Sequence, residues 1–496
     1  MRRVLTASAV LTAITAVTAV PLCPAASAAA PYKGANTASV QDDFNGDGYR
    51  DLVVGAPYAA NGSVEAAGAV VVLYGSSSTV SATHRTVITQ ATAGIPGGPE
   101  EYDRFGTSVA SADLDRDGYA DLIVGTPYED VGGKASRGSV TVVWGGPNGL
   151  AGGTNIAPPA GFGEGVAYCR FGMSLAAGDM NGDGAPELGV GSGCDGSSYA
   201  GPFTRTGASA SRYLEWRASG RGVVMGDVNE DGRAERFWLS GPADDDLRGS
   251  VYLDNGAPAD DTGSVDAPTE LPYADGHAGQ IGDVNGDGYG DLVTGIADDD
   301  YLANATGAAH RGGEIQVLYG GPHGITADQH PTVFHQDTAG VPGIAENGDE
   351  FGQSLSIGDV NGDGYGDVLV GSPGEAVGTH QGAGTAVLLR GSSSGLTTAR
   401  AAGYTQDTIG VPGAVETGDQ FGAAVHLADL NRDGKAETVV GAPTENSDGC
   451  VWVARGSAFG PVPSRSFDVC GKSAGISVRN VGGYFGATMT SAHVEM

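Results

Sequence analysis

The chain has 496 residues, 85 of them glycine, and its 59 acidic against 26 basic residues give a net charge of −33. The length allows a large core. The charge argues against nucleic acid and anionic membrane surfaces as partners.

Residues 1–30 read as a secretory signal peptide: Arg2 and Arg3 precede the apolar run from Val4 to Val20, and Ala26-Ser27-Ala28 and Ala28-Ala29-Ala30 offer small-residue cleavage sites. Beyond it no segment is long and apolar enough to span a bilayer, so no membrane insertion is expected. The expectation is a secreted, extracellular, monomeric protein formed by residues 31–496.

The mature chain opens on DFNGDGYRD, residues 43–51. Asp43, Asn45, Asp47 and Asp51 place oxygen side chains at loop positions 1, 3, 5 and 9. Gly48 turns the chain, and Tyr49 offers its backbone carbonyl, leaving its side chain free to vary. Such hard oxygens in a flexible loop suit calcium. The pattern differs from an EF-hand, because Val54 stands where that loop needs a bidentate Glu.

The same nine residues return at 113–121, 179–187, 227–235, 283–291, 359–367 and 429–437. The corresponding ligand sets are Asp113, Asp115, Asp117, Tyr119 and Asp121, then Asp179, Asn181, Asp183, Ala185 and Glu187, then Asp227, Asn229, Asp231, Arg233 and Glu235. They continue with Asp283, Asn285, Asp287, Tyr289 and Asp291, then Asp359, Asn361, Asp363, Tyr365 and Asp367, and end with Asp429, Asn431, Asp433, Lys435 and Glu437. Seven loops in register mark a repeat architecture with up to seven structural Ca²⁺ ions. The alternative is a set of Asx-type turns that need no ion.

Each unit follows one grammar. A strand opening on Phe-Gly (Phe105-Gly106, Phe171-Gly172, Phe351-Gly352, Phe421-Gly422) leads into the loop. An apolar run ending in a Gly-Ala-Pro-like turn follows, as in DLVVGAP at 51–57, then a third strand such as GAVVVLYG at 68–75 and a weaker fourth. Short β-branched runs bounded by Gly and Pro are strand signals, and no long 3.6-residue period occurs. The fold expected is all-β: a seven-bladed β-propeller of four-stranded antiparallel blades. The first repeat lacks Phe-Gly, while Phe485-Gly486 near the C-terminus has no loop after it. The C-terminal strand, within 484–496, is therefore expected to complete the first blade and close the ring.

Phe-Gly, the acidic loop and Gly-Ala-Pro, in that order, resemble the FG-GAP repeat of the integrin alpha-subunit propeller and its secreted bacterial relatives, across about residues 36–496. The resemblance implies calcium in the loops on one face and ligand on the opposite face. Two departures stand out. The fourth and fifth repeats lack Phe-Gly, and Arg236 follows the fourth loop where Leu or Val is usual, so 227–235 is expected to be the weakest site. Pro186 at position 8 of the third loop is a second irregularity.

Cys169, Cys194, Cys450 and Cys470 fall as two local pairs within single repeats, giving disulfides 169–194 and 450–470 in an exported chain. Four reduced, buried thiols are the other reading. Three inter-blade connectors nearly coincide, at 90–106, 336–352 and 406–422, and bring Glu100 and Asp103, Glu346 and Asp349, and Glu416 and Asp419 to the face away from the loops. With Glu129-Asp130 and Asp298-Asp299-Asp300 these form a candidate ligand rim; solvated loops copied by blade duplication explain them equally well.

Support for catalysis is thin. Gly391–Gly395 and Gly471–Gly475 fit G-x-S-x-G, but that motif works on a strand-to-helix turn and neither has a helix after it. His323, His330 and His335 are spaced along a loop and strand without an evident convergence. The function expected is adhesion or recognition of an extracellular protein or glycan. A secreted hydrolase or carbohydrate-active enzyme on a propeller scaffold, or a purely structural wall or matrix protein, are the alternatives.

Overall fold

A computed structural model describes residues 41–163, 166–207, 209, 211–215, 222–239, 250–254, 268–297, 311–480 and 482–490. The expected signal peptide, the acidic turn 298–300 and residues 491–496 lie outside them.

The second and third strands of the repeats are runs such as Leu52–Ala56 and Ala69–Leu73, buried at every position. A strand buried on both faces needs a covering layer on each side, and the neighbouring repeats provide it. The result is seven four-stranded antiparallel sheets. Fourth strands such as Arg85–Ile88 and Thr397–Tyr404 keep partly exposed positions at the outer edge. The one described α-helix is a single turn, Gly471–Ala474.

The first blade is completed from the far end of the chain. Thr488–Met489 pairs with Leu52–Ala56, setting Val54 opposite Met489 and Gly55 opposite Thr488. Closure by the C-terminal strand is therefore as expected. It leaves no inner edge open to pairing with another chain.

The core is divided into wedges between blades. The wedge closing the ring joins Leu52, Val54 and Val71 of the first blade to Val439, Val451 and Val453 of the seventh, with Phe485 and Met489. Phe105, Phe171, Phe351 and Phe421 each stand in the corresponding wedge before their own blade, all 0–1% exposed. Among the described residues, the wedge between blades three and four has Val223 and Trp238 as its buried apolar members.

The glycines of the two signatures meet across the blade boundary. A Cβ on Gly371 would lie 1.9 Å from the carbonyl oxygen of Gly422, and one on Gly125 would lie 2.1 Å from that of Gly172. The Gly of Gly-Ala-Pro in one blade therefore packs on the Gly of Phe-Gly in the next. Gly422, at φ 99°, in turn donates its N–H to Gly441 O at 2.8 Å. Both disulfides form, Cys169–Cys194 in the third blade and Cys450–Cys470 in the seventh.

Candidate functional site

In six blades the acidic loop joins the first and second strands, and in the first blade it leads into the second strand, Leu52–Ala56, so all lie on one face. In the first, Asp43 accepts N–H groups from Gly46 (2.7 Å), Asp47 (3.2 Å) and Gly48 (2.7 Å), which folds the loop around its carboxylate. Asn45 Oδ1 accepts Asp47 N–H at 2.8 Å, and Asp47 Oδ1 accepts Tyr49 N–H at 2.9 Å. Asp51, fully buried, takes Phe44 N–H at 3.0 Å and Gly75 N–H at 2.9 Å, tying the loop to the end of the third strand. Asp121, Asp291 and Asp367 repeat both contacts. Where Glu stands at position 9, its extra length is used within the loop: Asn181, Asn229 and Asn431 donate side-chain N–H groups to Glu187, Glu235 and Glu437.

These loops fit a hard cation on their own electrostatics. Burial, and after it the charges of Asp43 and Asp47, pushes the Asp51 carboxyl up to about 8. Burial likewise raises Asp121, Glu187, Glu235, Asp291 and Glu437 to about 7 and Asp367 to about 6, the last restrained by Arg390 at 2.8 Å. Several carboxylates held together in a partly buried pocket are a repulsive arrangement that a divalent cation relieves. Oxygens of Asp113, Asp115 and Asp117 all lie within 4.8 Å of one another. The fourth loop keeps the same hydrogen-bond pattern as the others, with Asp227 accepting from Glu230 and Gly232 and Glu235 from Val228.

The position-7 side chain varies in type, and where it is long it can reach the neighbouring loop. A Cβ on Gly46 would lie 2.5 Å from Tyr119 Cε1, and one on Gly286 would lie 2.6 Å from Tyr365 Cε1. Arg233 and Lys435 cover Gly182 and Gly362 in the same way. Each of these side chains lies on the position-4 glycine of the preceding loop, and under Tyr119 and Tyr365 a Cβ there would be too close.

On the opposite face, the candidate rim divides into exposed and buried partners. Glu100, Glu346 and Glu416 are exposed. Asp103, Asp349 and Asp419 are buried and accept the backbone N–H of those same glutamates at 2.7, 2.6 and 2.7 Å. The three connectors also carry a clamp that the sequence reading missed. Gln90, Gln336 and Gln406 donate Nε2–H to Glu129, Glu375 and Glu445 of the next blade at 2.6, 2.5 and 2.6 Å. A sequence signal existed: each Gln opens a coinciding connector, and each Glu stands two residues past the Pro of a Gly-x-Pro turn. Burial and the Asp103 charge push Glu129 up to about 7.

A second constellation on this face was also missed. Tyr484 and Tyr58 rings lie 4.4 Å apart, the Arg104 guanidinium sits 4.3 Å from both the Tyr58 and Tyr128 rings, and Arg170 sits 5.2 Å from Tyr128. This stack crosses the first three blades. Its signals were Tyr after Gly-x-Pro at 58 and 128 and a large residue before Phe-Gly at 104, 170 and 484. Tyr102, Tyr168, Ile344 and Ile409 stand exposed on connectors of the same face, at 47, 65, 73 and 95%.

The G-x-S-x-G match at 391–395 is a turn, whereas that at 471–475 follows the strand Phe467–Cys470 and forms the single helical turn Gly471–Ala474, with no longer helix after it. Ser392 Oγ–H donates to Gly395 O at 2.7 Å, and Ser473 Oγ–H donates to Cys470 O at 2.7 Å. His330 stacks on Tyr273 with centroids 3.8 Å apart.

Comparison with known proteins agrees with this geometry. The FG-GAP repeat family matches residues 35–73, 105–143, 351–389 and 421–453, the first, second, sixth and seventh blades. Integrin alpha-5 of Xenopus laevis is 36% identical over 155 residues, 30% of this chain and 14% of the relative. Phosphatidylinositol-glycan-specific phospholipase D of Bos taurus is 35% identical over 163 residues, 33% of this chain and 19% of the relative. These matches thus span less than a fifth of either relative. Among solved structures, the periplasmic gluconolactonase PpgL of Pseudomonas aeruginosa aligns with 87% of this chain and 99% of its own at 12% identity; its TM-score of 0.45 carries no functional argument. Four FG-GAP repeats on a closed ring of seven blades, with similarity to integrin alpha chains, support an integrin-alpha-like FG-GAP propeller.

Proposed function

We propose that the protein is an exported, calcium-stabilised propeller that recognises an extracellular protein or glycan through the face opposite its acidic loops. The observation that carries this reading is the Tyr484–Tyr58–Arg104–Tyr128–Arg170 stack, beside exposed Tyr102 and Glu100. Half-buried aromatic rings next to fixed charges cover apolar faces of a sugar or side chain while pairing with its polar groups. Calcium is assigned to the loops as a structural ion: when bound, it neutralises carboxylates such as Asp43, Asp47 and Asp51. Two disulfides, and the signal-peptide pattern at 1–30, support export.

The test is an array of glycans and matrix proteins probed with the purified protein in calcium and in EDTA. A selective ligand lost in the paired variant Tyr58→Ala, Tyr128→Ala, with its melt retained, is expected. A folded protein that binds nothing selectively would move the assignment to a structural role. Binding indifferent to the paired variant would remove the stack from the ligand site.

A further inference from the structure

We infer that the loop at 113–121 carries its own cation, the guanidinium of Arg205, and that calcium binds there only by displacing it. This rests on the calcium reading of the loops.

Two features separate this loop from the other six. Position 3 is Asp115, where every other loop has Asn, so its positions 1, 3, 5 and 9 are all carboxylates, against three of those four elsewhere. It also has a guanidinium on its position-3 and position-5 carboxylates, whereas Arg390 of the sixth loop reaches the position-9 carboxylate of Asp367. Arg205 Nε–H donates to Asp115 Oδ2 at 2.7 Å, and Nη2–H donates to Asp117 Oδ2 at 2.7 Å and to Gly145 O at 3.3 Å. Asp115 and Asp117 are the position-3 and position-5 side chains that the other loops present as neutral amide and carboxylate.

The arginine is delivered to this place by the fold. In four described blades, the segment after the third strand reaches over the preceding loop and donates one N–H to its position-2 carbonyl. Gly146 does so to Phe44 (3.1 Å), Phe203 to Leu114 (3.0 Å), Gly321 to Val228 (3.0 Å) and Ser392 to Val284 (3.1 Å). Two residues further on stand Asn148, Arg205, His323 and Ser394 respectively. Phe203 is 2% exposed in the wedge between blades two and three, which anchors the segment. The backbone of Arg205 is fixed by a relay in which Trp144 Nε1–H donates to Thr154 Oγ1 (2.9 Å) and Thr154 Oγ1–H donates to Arg205 O (2.7 Å). Its guanidinium lies 5.4 Å from the Trp144 ring. The extra carboxylate and the arginine thus belong together, one charge answering the other.

The latch competes with calcium. Arg205 is half exposed, and a paired charge in that setting opposes an incoming ion by about a factor of ten in affinity. With loop affinities of roughly 0.1–1 mM, at about 1 mM calcium this loop then fills to about 10–50% while the others fill to about 50–90%.

The experiment counts calcium per chain by equilibrium dialysis and elemental analysis at about 1 mM free calcium, for the wild type and for Arg205→Ala, each alone and combined with Asp117→Ala. The expected result is about half an ion more per chain in Arg205→Ala than in the wild type. Asp117→Ala should remove that gain and lower the wild-type count by at most about half an ion. Equal, non-zero counts in the wild type and Arg205→Ala, or loss of an ion from the wild type on Asp117→Ala, overturn the latch. No ion in any variant overturns the calcium reading itself and the latch with it. Circular dichroism confirms that each variant is folded.

Discussion

The fourth blade replaces an apolar pair by an ion pair, and the consequence is measurable. In the first blade Leu52 lies opposite Leu73, and in the fifth Leu292 lies opposite Leu318; in the fourth the same register sets Arg236 opposite Asp254. Arg236 is 0% exposed and Asp254 4%. The guanidinium bonds to Asp254 within the blade and to Ser198 across the boundary, 5.0 Å from the Trp238 ring. Removing one member breaks a buried ion pair and takes its counter-charge from the other, which costs about 3–5 kcal/mol. At roughly 2.1 cal/mol/K of unfolding entropy per residue, a propeller of about 450 residues then melts about 3–5 °C lower. Arg236→Ala should show that drop by differential scanning calorimetry. The paired variant Arg236→Leu, Asp254→Leu restores the leucine pair of the first and fifth blades, and should recover the loss or exceed the wild type. An Arg236→Ala melt within about 1 °C of wild type, or a paired variant no better than the single one, would refute the reasoning.

Three other outcomes follow from the packing and charge. Gly371→Ala places a Cβ 1.9 Å from Gly422 O and should cost at least about 1–3 kcal/mol in chemical denaturation, whereas Gly98→Ala, with open space around its Cβ, should be neutral. Deleting residues 484–496 removes Phe485 and the closing strand Thr488–Met489, and should lower the melt sharply; an unaltered melt would show that the ring does not depend on closure. Glu129, held near 7, has a folded-state value above its unfolded one, so its favourable contribution is present below about pH 4.5 and lost as pH rises through about 7. Glu129→Gln should therefore flatten the decline of the melt between about pH 5 and pH 8 at constant calcium, and identical slopes would remove this clamp as the cause.

Much of the fold was legible because the repeat is written in residues with one physical use. Phe of Phe-Gly fills a wedge, Gly permits two backbones to touch, and position 9 of the loop reaches the third strand, so Phe421, Gly422 and Asp367 carry their roles in their spacing. The loop oxygens were legible for the same reason. What stayed hidden depends on which blade stands beside which. Arg236 was visible as an oddity, but its compensation by Asp254 needs the register of two strands. Tyr119 over Gly46, and Arg205 over Asp115 and Asp117, are contacts between neighbouring repeats, and local spacing does not report them. The acidic connectors were found by their similarity, yet similarity could not tell that Asp103, Asp349 and Asp419 turn inward to hold their own backbone while the glutamates face solvent.

The central claim is that the acidic loops hold calcium and that the ion supports the ring. Its most direct test is the thermal melt at about pH 7.5 in about 1 mM calcium and again in EDTA. Each filled loop adds about 0.4–1.4 kcal/mol by mass action at loop affinities of roughly 0.1–1 mM. A melt several degrees higher in calcium, reversed by the chelator and restored by adding calcium back, is the result predicted. Superimposable melts in calcium and EDTA would contradict it, and the loops would then be turns that stand without a metal.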